Sequence, residues 1–298
     1  MTELTDNAKT VIERRIAKKD NNGNAVETAD EVFQRVAQNI AEAELLYNKD
    51  PKPAYDKFYK LLANLDFIPN SPTLVNAGHE MQQLSACFVL PVEDHMEGIF
   101  ESVKNAALIH KTGGGTGFSF TRLRPESSRV SRTSGVASGP VSFMQVFDKA
   151  TEVIKQGGTR RGANMGILRI DHPDILKFIE LKSDNVSMQN FNVSVAITDE
   201  FMKALDSEDD RFDLVFGNDT YETVSARSLW HAIVNNAWLT GDPGVIFIDR
   251  INAGRSNPVT VVALLNPPIP AENNLFILSI VVILVLSTSL TLLGRMAV

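Results

Sequence analysis

The sequence predicts an α/β protein whose first stretch is helical and whose remainder alternates helices with short strands, ending in an unrelated apolar tail. Three observations predict it. Apolar residues recur at helical spacing through the first 65 residues. From residue 85 to 248, short apolar runs alternate with amphipathic segments, which argues for a partly parallel sheet. After about Ser256 the composition changes abruptly, and no charged residue occurs from Asn273 to Gly294. The expected divisions are 1–66, 67–255 and 256–298, and there is no internal repeat.

Residues 1–27 read as a polar arm, with a turn at Asn21-Asn22-Gly23-Asn24. Thr28 and Glu31 have capping-box spacing, and Phe33, Val36, Ile40, Ala43 and Tyr47 then follow one helical face. Asp50-Pro51 breaks that helix, and a second runs from Ala54 to Leu65. Residues 85–92 read as a buried strand, and 98–111 as a helix stopped by Gly113, Gly114 and Gly115. Residues 117–121 alternate as a strand, before the basic, serine-rich loop RLRPESSRVSRTSGVASGP. A helix over 141–155, the loop QGGTRRGAN, a strand MGILRI and a helix from His172-Pro173 to Leu181 come next. The chain continues with a strand over Phe191–Ile197, a helix over 227–239 and a short buried strand from Val245 to Ile248.

The 298 residues are 44% hydrophobic and 22% charged, as in ordinary globular proteins. A net charge of −7 argues against a general nucleic-acid surface, though not against a local anion pocket. One cysteine excludes an internal disulfide framework and fits a reducing, cytoplasmic setting. The N-terminus is too polar for a secretory signal. The apolar segment 275–294 has the length of a transmembrane helix, so a membrane location is expected only if that segment is genuine.

The lone thiol, Cys87 in LSACFVLPV, is a redox group, a nucleophile or a small core residue. The glycines of KTGGGTGFSF end a helix or let backbone approach a ligand closely, and they lack both Walker A and Rossmann spacing. Gly157, Gly158, Thr159, Arg160, Arg161 and Gly162 form a loop whose paired arginines suit phosphate or base edges, or else a solvated basic turn. Arg122, Arg124, Arg129 and Arg132 make a local anion site or a solvated face. Asp94 is placed to accept from a ribose hydroxyl or to sit in a surface turn. The five histidines show no metal-ligand spacing, and none is assigned to a metal.

Taken in order, NSPTLVNAG, LSACFVLPVEDHMEGIF, NAALIHKTGGGTGFSFTRLRP, GVASGPVSFMQVFDKATEVIKQGGTRRGANMGILRIDHPDI, FNVSVAITDEFM and TGDPGVIFIDRIN resemble the N-terminal half of ribonucleotide reductase large subunits. The similarity is greatest to the adenosylcobalamin-dependent (class II) enzymes. It implies a helical region and the first half of a ten-stranded α/β barrel. It implies that Cys87 is one of two cysteines supplying reducing electrons. Ser71, Ala86, Cys87 and Gly115 would line the substrate ribonucleotide, and Asp94, Arg124 and Arg132 would bind a deoxynucleoside triphosphate effector. Residues 157–162 would carry information between the two. The implied chemistry is loss of the ribose 2′-hydroxyl through a thiyl radical generated by adenosylcobalamin, with an external dithiol such as thioredoxin as reductant. A homodimer is implied for the full-length protein, and no nucleic-acid partner.

The sequence departs from that pattern after DRIN, and no second cysteine follows. The expectations for the tail are a frameshift near residue 256 or a fused membrane helix. For the chain they are a reductase part that is inactive alone, a non-catalytic nucleotide-binding module, or a membrane-tethered remnant.

Overall fold

A computed structural model describes residues 3–80, 82–128, 135–154 and 162–253. The contacts divide the chain into two units, Met1–Ala86 and Cys87–Val298, whereas the sequence places a boundary after residue 66. The tail, including 275–294, lies outside the described residues, as do Arg132, Gly157, Gly158, Thr159, Arg160 and Arg161.

The first unit is helical. It contains α1 (Asp6–Val11), which runs into a π turn at Ile12–Ile16, then α2 (Ala29–Ala41) with a 3-10 extension at Glu42–Tyr47. α3 (Lys52–Ala63) and α4 (Ser71–Asn76) complete it. The expected capping box is present: Glu31 N donates to Thr28 Oγ1 at 3.3 Å, and Thr28 N donates to Glu31 Oε2 at 2.7 Å. The expected polar arm is a correction. Leu4, Ile12 and Ala17 are buried with Val32, Phe33 and Val36. Leu4, Ala8, Ile12 and Ile16 repeat every fourth residue, an apolar stripe masked by the charges between them.

Arg35 joins the parts of this unit. Its Nε donates to Glu27 Oε1 at 2.7 Å and its Nη2 to Glu27 Oε2 at 3.0 Å; Nη1 reaches Ala77 O and Nη2 also reaches Leu74 O. Burial pushes the Glu27 carboxyl up. The Arg35 hydrogen bonds and the Lys18 N–H outweigh it, so its pKa lies below the ordinary value.

The second unit is built on β1 (Cys87–Leu90), α5 (Met96–Lys111), β2 (Gly115–Ser119), α6 (Gly139–Val153), β3 (Asn164–Arg169), α7 (Ile175–Ile179) and β4 (Phe191–Ile197). It continues with α8 (Asp199–Asp206), the hairpin β5 (Arg211–Phe216) and β6 (Asp219–Ser225), α9 (Ala226–Thr240), β7 (Gly244–Phe247) and α10 (Ile248–Ala253). Five strands form one wholly parallel sheet in the order β1-β2-β3-β4-β7. Each strand adds on the same side as the last. Right-handed crossovers of that kind place the helices on one face, as in half of a barrel.

Alternation then sorts the side chains. Phe118, Phe120, Leu168, Phe191, Val193 and Val195 enter the large core with Met144 and Phe147 of α6. Met165, Ile167, Ala196 and Ile246 form a smaller cluster against which Cys87 packs. In the expected buried strand near 245, only Ile246 is buried, because β7 pairs with β4 alone among the described residues.

Candidate functional site

Parallel strands give the sheet two chemically different edges. At the N-terminal edge, Cys87 opens β1 and Gly115 opens β2, and the two are Cα partners in register. Cys87 is half-buried; Gly115 is buried. Alternation places Gly117 on the same face, beside Met165. Gly115 and Gly117 leave β2 without side chains on that face, beside the Met165 and Ile167 cluster against which Cys87 packs.

The preceding turn fixes this geometry. Gly113, after the C-terminus of α5, has φ +88, a left-handed conformation that favours glycine. A Cβ on Gly114 would lie 2.6 Å from Ile109 Cγ2 and 2.9 Å from Phe88 Cε2, so the turn closes onto β1 only with glycine there. The strand begins at Gly115, two residues before the expected start, because Thr116 N already donates to Ala163 O at 3.0 Å.

At the opposite edge, Asp94 follows β1 and Arg124 follows β2. Arg124 Nε donates to Asp94 Oδ2 at 2.7 Å and Arg124 N to Asp94 Oδ1 at 3.1 Å, a pair about one-third exposed. The length of β2, roughly 15 Å at the usual rise per residue, separates this pair from Cys87 and Gly115. The loop bearing Arg124 is clamped on both sides. His172 Nε2 lies 2.9 Å from Leu123 O, and Asp174 Oδ2 accepts from Glu126 N at 2.8 Å. Burial holds the His172 pKa below its ordinary value, although the Leu123 carbonyl and the neighbouring aspartates favour its protonation.

The structure thus brings Cys87 to Gly115 and Asp94 to Arg124. Ser71 begins α4 in the helical unit, exposed, next to the Asn70 cap that accepts from Thr73 N at 2.9 Å. Ala86 is the last residue of that unit and precedes Cys87. Gly162 is buried against His110 and Thr151. Sequence reasoning missed His172 and Asp174. Their signal is His-Pro-Asp at the mouth of α7, where a histidine and a carboxylate can both bind nearby backbone.

A helical unit followed in sequence by a singly wound parallel half-barrel, with a thiol at the head of its first strand, defines a class. The chain belongs to the ribonucleotide reductase large-subunit family: residues 2–82 match its all-alpha domain and residues 85–266 its barrel domain. The barrel match extends beyond Ser256, the expected point of departure. More particularly, the chain is 46% identical to a vitamin B12-dependent ribonucleoside-diphosphate reductase of Thermoplasma acidophilum, over 86% of this chain and 41% of that protein. It is 41% identical to the enzyme of the same name from Mycobacterium tuberculosis, over 85% of this chain and 37% of that one. The class Id ribonucleotide reductase alpha subunit of Actinobacillus ureae shares the fold, with a TM-score of 0.67 at 22% identity, over 89% of this chain and 44% of the other. The chain thus spans about two fifths of these relatives.

Proposed function

We propose that this chain is the substrate- and effector-binding part of an adenosylcobalamin-dependent ribonucleoside-diphosphate reductase. The observation that carries the reading is the in-register pairing of Cys87 with Gly115, a residue without a side chain, which lets a ligand come close to backbone beside the thiol. Ser71, Ala86 and Gly115 line the substrate in this reading, and Cys87 supplies electrons. Two thiols become a disulfide, the ribose carbon gains hydrogen in place of its hydroxyl, and water leaves. The second thiol lies outside these 298 residues, which hold one cysteine. That cysteine is assigned here to reduction. The residues present therefore do not offer the sulfur on which adenosylcobalamin would act.

Asp94 and Arg124, with Arg132, bind the deoxynucleoside triphosphate effector: the carboxylate accepts from the ribose and the guanidinium meets phosphate. Residues 157–162 link effector to substrate. A dithiol protein such as thioredoxin regenerates the pair, and the protein works in the cytoplasm. A homodimer is supported by exposed Met96, Phe100 and Leu108 on α5.

Equilibrium binding of dTTP and dATP tests the reading. Saturable binding is expected, weakened at least about tenfold in Asp94→Ala, as loss of a charge-assisted contact implies. No measurable binding of either nucleotide to the wild-type chain overturns it.

A further inference from the structure

Between the sheet and its helices, at the edge that carries Cys87, four side chains from four elements form one buried hydrogen-bond chain. Thr151 Oγ1 on α6 donates to Phe147 O at 2.8 Å, and Asn164 Nδ2 on β3 donates to Thr151 Oγ1 at 2.8 Å. Thr116 Oγ1 on β2 donates to Asn164 Oδ1 at 2.7 Å, and His110 Nε2 on α5 lies 2.9 Å from Thr116 Oγ1. The relative exposures of His110, Thr116, Thr151 and Asn164 are 1%, 0%, 6% and 2%.

Proton counting fixes every direction in the chain. A carbonyl oxygen can only accept, so the Thr151 hydroxyl proton points to Phe147 O. Thr151 must then accept from the Asn164 amide nitrogen, which orients that amide and turns its oxygen to Thr116. The Thr116 proton goes to this oxygen, so Thr116 accepts from His110. His110 therefore carries a proton on Nε2, and burial, with no acceptor for Nδ1 among the described residues, favours the neutral form. Its Nδ1 keeps a bare lone pair, has no partner among the described residues, and would lie 3.1 Å from a Cβ on Gly162.

The sequence positions of these groups carry the consequence. Thr151 and Asn164 stand before and after residues 155–161, and the bond between them ties the two ends of that segment. Thr116 is one residue from Gly115, and its backbone N–H also holds Ala163 O at 3.0 Å. A displacement of Asn164 must therefore move the head of β2 or leave buried donors and acceptors unmet.

We propose that His110 is a positioning residue. In its Nε2–H form it keys the ends of segment 155–161, through Thr116, Asn164 and Thr151, to the strand edge that presents Gly115 and Cys87. That this keying serves coupling between effector and substrate rests on the function proposed above; the keying itself does not.

The test uses the whole chain, whose single thiol makes alkylation specific. Thr151→Val removes the hydroxyl far from Cys87 in sequence, and Thr151→Ser restores it. The expected result is that iodoacetamide modifies Cys87 at least about threefold faster in Thr151→Val, through local opening of the strand edge, and at the wild-type rate in Thr151→Ser. Equal rates in all three overturn the proposal. Should Thr151→Val fail to fold, 15N-histidine NMR of the wild type decides. A slowly exchanging Nε2 proton on His110 supports the proposal, and an Nδ1 proton overturns it. Added dTTP separates the two readings. If it leaves the wild-type alkylation rate unchanged, coupling between effector and this edge fails while the comparison of variants without nucleotide stands.

Discussion

Gly114 leaves no room for a methyl group. Its ideal Cβ position falls 2.6 Å from the branched carbon of Ile109 and 2.9 Å from the ring of Phe88, and neither is the free end of a flexible chain. Gly114→Ala is expected to destabilise the protein by about 2 kcal/mol, the usual range for overpacking a tight site, as read from urea unfolding. An unchanged midpoint would show that the turn relaxes. At this scale the sequence was informative in an uneven way. The glycine run and Cys87 stood out because their residue types are rare or conformationally special. Thr116 and Asn164 did not, because a buried threonine or asparagine reads like a solvated one until its partners, 48 residues apart, are brought together.

Among elements, polar clamps reach across secondary structure. Arg35 of α2 holds Glu27 and the C-terminal turn of α4, with side-chain exposures of 13% for both members of the ion pair. Arg35→Ala leaves a mostly buried carboxylate and is expected to cost about 3 kcal/mol in urea denaturation. The His172 clamp predicts a pH effect. His172 Nδ1 accepts from Asp174 N at 3.0 Å, so protonation there sets two N–H groups against each other. The folded pKa is depressed, chiefly by burial, so the unfolded chain binds the proton more readily. The clamp's contribution is fully present above about pH 6.5 and is lost as pH falls below it, by up to about 1.4 kcal/mol per pH unit. Thermal melts from pH 8 to 5 should show a smaller decline in His172→Asn than in wild type; parallel declines would remove this histidine from the account. His110 and His79, also depressed chiefly by burial, act in the same direction. The larger helices and the central strands were legible because burial imposes a period on their apolar residues. The β5–β6 hairpin leaves little trace in the sequence. β6 is exposed over most of its length, so its residues carry little apolar alternation despite the Gly217-Asn218 turn.

At the scale of the molecule, the sheet is all-parallel and wound in one direction, and among the described residues β1 and β7 each pair on one side only. Local pattern showed an α/β chain. The winding followed only from the family resemblance, because strand order depends on which crossovers pack together rather than on any one segment. The same arrangement limits the chemistry. Replacing a ribose hydroxyl by hydrogen takes two electrons, and a dithiol supplies them by closing a disulfide. Cys87 is the single sulfhydryl in 298 residues, and the chain spans 41% of its Thermoplasma relative. The purified chain, supplied anaerobically with adenosylcobalamin, a small dithiol and a ribonucleoside diphosphate, is therefore expected to form no deoxynucleotide above the enzyme-free background. Cys87→Ser is expected to bind dTTP like the wild type, since Asp94 and Arg124 stand at the other edge of the sheet. Turnover by the wild-type chain that disappears in Cys87→Ser would overturn the assignment, because one thiol would then be doing the work of two.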